Sequence, residues 1–104
     1  NINENITVMV NEKFGLGITD AFCGFKAHRV EAVARMNLKE VGYGVPLEFW
    51  VQVAANHLRV HEIPVSLIYN DPNRHFGGEL DDPETRLMHY QMIFDESLEA
   101  AGLS

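Results

Sequence analysis

The chain has 104 residues, 46% hydrophobic and 10% aromatic, with a formal charge of −7. That length holds one domain at most, or part of one, and the composition is globular rather than disordered. Eight basic residues scattered among fifteen acids exclude a nucleic-acid surface, which needs clustered Lys and Arg, but not a phosphorylated ligand held by one or two Arg.

Taken in order, Ile2, Ile6, Met9 and Val10 fall at helical spacing. Phe14 extends the stripe and Gly15 is placed to cap it. The β-branched run Ile6-Thr7-Val8 keeps a strand open as the alternative. A helical pattern that starts at Asn1 rather than Met predicts a segment of a longer protein. Residues 16–22 read as a short extended passage leading to Cys23-Gly24-Phe25-Lys26. Phe25, Lys26 and Ala27 are expected in a short strand or turn, and residues 29–36 in a short helix. Gly42 and Gly44 break the chain, and Pro46 suits the first turn of a helix over residues 46–58.

On that helix Glu48, Gln52 and Asn56 recur every four residues among apolar neighbours. This predicts a buried helix with one strip facing solvent or lining a cavity. Residues 60–69 show the period-2 pattern of a strand, with His61, Ile63, Val65, Leu67 and Tyr69 on one face. Pro64 moves that strand to an edge or a bulge. The polar loop 70–78 follows and ends in Gly77 and Gly78. Asp82 then caps a final helix, with Pro83 and Glu84 in its first turn and Leu87, Tyr90, Phe94 and Leu98 as its buried stripe. Gly102 ends it. The order predicts an α/β domain, or α+β if the fragment stands alone, helix-rich with few short strands.

Candidate chemistry gathers at few places. Asp20 could take a proton from an attacking hydroxyl, or could cap its own turn by accepting from an amide two residues on. Arg74 beside Gly77 suits a bidentate grip on phosphate, or is a solvated surface residue paired with Asp71, Asp81 or Asp82. Glu48 either complements the helix dipole or lines a cavity with Gln52 and Asn56. His57 and His61, at His-x-x-x-His spacing beside Glu62, raise a metal reading, against which the helix should end near Leu58 so that the imidazoles would not share a face. Cys23 cannot pair internally and fits a reducing, cytoplasmic compartment. It is expected to be a small buried residue between Phe22 and Phe25.

Phe14-Gly15-Leu16-Gly17-Ile18-Thr19-Asp20, Cys23-Gly24-Phe25-Lys26-Ala27-His28-Arg29, Gly42-Tyr43, Glu62-Ile63-Pro64-Val65 and the Arg74/Gly77 loop together resemble glycosyltransferase family 2. The likeness spans about residues 5–80 and is nearest to the dolichyl-phosphate mannosyl- and glucosyltransferase-like branch. It implies the C-terminal, acceptor-side half of a GT-A catalytic domain. The implied parent enzyme inverts, moving sugar from a nucleoside-diphosphate donor to a hydroxyl or lipid-phosphate acceptor. By the same resemblance Asp20 is the acid near the acceptor, Gly24 and Phe25 shape its turn, and Lys26 and Arg29 lie near acceptor phosphate. Arg74 would approach the donor diphosphate, and Glu62 would be a structural acid.

The Asp-x-Asp motif that holds Mg²⁺ or Mn²⁺ in that family does not occur in the sequence. The resemblance therefore implies a metal bound by residues outside this chain, and no activity from the chain alone. The continuation Glu79, Asp81, Asp82 departs from the lipid-linked relatives and counts against a polyprenyl-phosphate acceptor. A non-catalytic interaction module, dimerising through the helix at 46–58 and the final helix, is the competing expectation. Peripheral attachment to a membrane surface is a further one.

Overall fold

The computed structural model describes residues 2–39, 42, 44–66 and 82–103. Its elements are α1 (Ile2–Phe14), α2 (Val30–Ala34), α3 (Val45–Ala55) and α4 (Pro83–Ala100). The helices α1, α3 and α4 pack against one another, with α3 and α4 sharing the broadest contact. Their inward faces form the core: Ile6 and Val10 of α1, Leu47, Trp50, Val51 and Val53 of α3, and Tyr90, Ile93, Phe94 and Leu98 of α4. Phe14 meets Phe94 edge-on at 5.9 Å between ring centroids, an arrangement the aromatic quadrupole favours.

Each of these helices follows its sequence signals. In α1 the predicted stripe is inward, with Val8 left exposed. The helix stops at Gly15, whose φ of 65° lets its amide bond the Asn11 carbonyl at 2.7 Å. Pro46 lies in the first turn of α3. Asp82 caps α4 by accepting from the Thr85 amide at 3.1 Å and the Thr85 hydroxyl at 2.6 Å. Those bonds, the hydroxyl's first, hold the Asp82 carboxyl below its ordinary pKa. Before α3, a Cβ on Gly44 would sit 2.8 Å from Ile93 Cγ2, so the α3–α4 approach requires glycine there.

The α/β expectation is corrected: the described residues contain helices and no strand. Residues 60–66, read as the main strand, have no regular secondary structure, and Ile63 and Val65 are exposed. Alternating β-branched residues favour a strand only when a neighbouring ladder completes it, and no described segment pairs with this one. The short strand or turn expected at Phe25, Lys26 and Ala27 is likewise irregular. The rest of that predicted strand and the loop with Arg74, Gly77 and Gly78 lie outside the described residues.

On the helices named in the competing expectation of dimerisation, Trp50, Val51, Tyr90 and Phe94 are buried within the chain, while Met88 and Met92 of α4 are exposed.

Candidate functional site

The segment between α1 and the turn at Ala21 and Phe22 has no helix or ladder to satisfy its backbone. Side chains do so instead. Asn11 acts like a facing peptide group: its Oδ1 accepts from the Ile18 amide at 3.0 Å and its Nδ2 donates to the Ile18 carbonyl at 2.8 Å. Glu62 accepts from the Thr19 amide through both oxygens at 3.1 Å and from the Thr19 hydroxyl at 3.0 Å. Thr7 Oγ1 accepts from the Ala21 amide at 3.0 Å while donating to the Asn3 carbonyl at 2.7 Å. Trp50 Nε1 donates to the Ala21 carbonyl at 2.9 Å.

Asp20 stands in the middle of this held segment. Its Oδ1 accepts from the Phe22 amide at 2.8 Å, the turn-capping contact weighed from sequence, and the residue is exposed. The cap and a chemical role are compatible, since a carboxylate has two oxygens and several acceptor sites. Ile18 and Ala21 on either side are buried, at 4% and 0% exposure. The backbone around an exposed carboxylate is thus anchored in the core on both flanks.

Lys26 is the cation of the site. Its Nζ lies 4.6 Å from the centroid of Phe49 and 5.2 Å from that of Trp50, a cation–π arrangement. Burial lowers its pKa below the ordinary lysine value, and nearby Cys23 and Asp20 pull it partly back. A partly desolvated ammonium on aromatic faces, with a carboxylate nearby, can receive an anionic group. His28 packs on one aromatic of the pair, 5.2 Å from Phe49. Phe25 is 84% exposed beside Lys26 in sequence, a large apolar side chain in water.

The remaining predicted residues divide. Gly24 and Arg29 are exposed on the same connection, Arg29 at the N-terminal boundary of α2. Arg74 lies outside the described residues. Glu48 is used structurally, its Oε1 accepting from the Lys39 amide, while Gln52 Oε1 accepts from the Asn37 amide at 3.0 Å. Side chains four apart on a helix are about 6 Å apart along it, close to the spacing of alternate residues in an extended chain. Glu48 and Gln52 of the polar line are therefore a rack for residues 37–39, while Asn56, at the end of α3, donates to the Gln52 carbonyl and side chain. Cys23 is a free, half-buried thiol.

Thr7 and Asn11 were not among the candidates. Their signal was present, two polar residues one turn apart beside Ile6 and Val10 on the buried side of an amphipathic helix. A polar side chain on such a face needs a partner, and here the partner is the Asp20 segment.

No group of three or more His, Cys, Asp or Glu that could hold a metal ion occurs among the described residues. A shallow recess of about 410 Å³ between the ends of α1 and α3, lined by Phe14, Leu16, Val53 and His57 among others, carries none of the predicted site residues. No described helix is long and apolar enough to cross a membrane. No family model matches the chain, and no curated protein and no solved structure matches it.

Proposed function

We propose that this chain is the acceptor-side portion of an inverting glycosyltransferase of family 2, acting within a longer polypeptide. The observation that carries the reading is the contact between its motif blocks. Thr19, one residue before Asp20, and Glu62, which opens Glu-Ile-Pro-Val, are 43 positions apart in sequence and hydrogen-bonded. Support comes also from Lys26, whose ammonium lies over the rings of Phe49 and Trp50 and feels the charge of Asp20.

The reaction follows from those groups. A hydroxyl of the acceptor attacks the anomeric carbon of the donor from the face opposite the nucleotide. A carbon–oxygen bond forms, the bond to the diphosphate breaks, and its electron pair leaves with the nucleoside diphosphate. The hydroxyl proton passes to the Asp20 carboxylate. Lys26 stabilises anionic groups of the acceptor side. A lipid-phosphate acceptor arrives already ionised and needs no base, and with it the protein works at a cytoplasmic membrane surface. No step is assigned to a metal, for which the described residues provide no site.

The test is transfer of labelled sugar from a panel of UDP- and GDP-sugars, with Mg²⁺, by the full-length polypeptide. Asp20→Asn is expected to lower turnover onto a hydroxyl acceptor by about 10²–10⁴-fold with little change in donor affinity. Absence of transfer from every donor to either acceptor class contradicts the proposal. Normal turnover in Asp20→Asn leaves the residue as a turn cap.

A further inference from the structure

We propose that Glu62 is the positioning residue for Asp20, an inference that rests on the glycosyltransferase reading for its kinetic consequence but not for its geometry. The Glu62 carboxylate directs both oxygens at one residue, bonding the Thr19 amide at 3.1 Å and the Thr19 hydroxyl at 3.0 Å. Thr19 is the residue whose backbone leads directly into Asp20, and Asp20 in turn bonds the Phe22 amide at 2.8 Å. The direction of the Asp20 carboxylate therefore depends on a chain of contacts that begins at Glu62.

Packing does not account for Glu62. Residues 59–66 are exposed throughout and have no regular structure, so no buried face draws the side chain to this spot. The other groups that hold the segment, Thr7, Asn11 and Trp50, come from helices of the core and fix Ile18 and Ala21. Those contacts bracket Asp20 but leave Thr19 to Glu62. A carboxylate suits this position because it accepts from an amide and a hydroxyl at once. Small errors in placing a catalytic group carry large kinetic costs.

The experiment compares Glu62→Ala, Glu62→Gln and Asp20→Asn in the full-length polypeptide. It reads kcat and donor KM on whichever nucleotide sugar of the panel turns over, together with amide hydrogen exchange at Thr19 and Phe22. Glu62→Ala is expected to lower kcat roughly 10–100-fold with donor KM within about twofold of wild type. Glu62→Gln recovers most of it, its carbonyl accepting from the Thr19 amide while its NH₂ donates to the hydroxyl.

Exchange in Glu62→Ala rises at Phe22 as well as Thr19, because the Phe22 amide reports the Asp20 carboxylate itself. A tether with no bearing on Asp20 would free Thr19 alone, and that outcome overturns the proposal. So does a kcat near wild type in Glu62→Ala while Asp20→Asn is impaired. If Asp20→Asn is itself unimpaired, the glycosyltransferase role of Asp20 fails, and the Phe22 exchange alone decides whether Glu62 orients it. Should Glu62→Ala lose helical structure, Thr19→Val deletes only the hydroxyl contact and is read in the same way.

Discussion

Residues 18–22 and residues 59–66 both lack helix and strand, yet the chain treats them oppositely. In the first, the amides of Ile18, Thr19, Ala21 and Phe22 all donate to side-chain oxygens. In the second, Ile63 and Val65 stand in solvent, and the Glu62 side chain reaches across to hydrogen-bond Thr19. Irregular backbone is costly to order. The difference teaches that ordering has been concentrated where one exposed carboxylate is presented, as expected of a site supported by a second layer of contacts.

The largest effect on stability that would sharpen this contrast is at the core side of the held segment. Trp50→Phe keeps a ring in α3 but removes the donor to the carbonyl of buried Ala21. We expect a loss of about 1–3 kcal/mol, the cost of an unsatisfied buried acceptor, measured by urea unfolding. Thr7→Val leaves the Ala21 amide without its acceptor and should cost about 1–2 kcal/mol by the same argument. Ile63→Ser and Val65→Ser, in the exposed segment, should stay within about 0.5 kcal/mol of wild type. Equal losses in both regions would break the comparison.

Two helix ends provide further controls. His57 sits just past α3 with φ 53°, its amide bonding the Ala54 carbonyl and the Leu58 amide bonding the Val53 carbonyl. Glycine tolerates that conformation at less steric cost, so His57→Gly should stabilise by up to about 1 kcal/mol, read as a rise in Tm. The pH response of the α4 cap has a definite sign. The Asp82 pKa is depressed in the folded chain from 3.8, so its contribution is fully present above that value and is lost as pH falls through the lower folded pKa. Thermal stability of Asp82→Ala relative to wild type should therefore differ at neutral pH and converge in strong acid.

Much of the helical frame was legible because periodicity and caps are local. The α1 stripe, Pro46 in the first turn of α3 and the Asp82-Pro83 start of α4 all depend on neighbours within a turn or two. The Asx turn at Asp20 was legible for the same reason. What failed required a distant partner. The alternation at residues 60–66 expressed a preference for extended backbone but could not say whether a ladder existed. The line Glu48, Gln52, Asn56 showed alignment on α3 but not that the amides of Asn37 and Lys39 lay opposite. Thr7 and Asn11 escaped notice because each fills a hydrogen bond to a segment separated from it by a glycine-containing turn. Nothing local to Glu62 in the sequence points to Asp20; its bond to Thr19 makes that link.

The most direct test of the held segment is amide hydrogen exchange in the wild-type chain, comparing residues 18–22 with residues 59–66. The amides of Ile18, Thr19, Ala21 and Phe22 should exchange at least about tenfold more slowly than those of residues 59–66, as expected where opening must break a specific bond. Similar rates in the two regions would contradict the account.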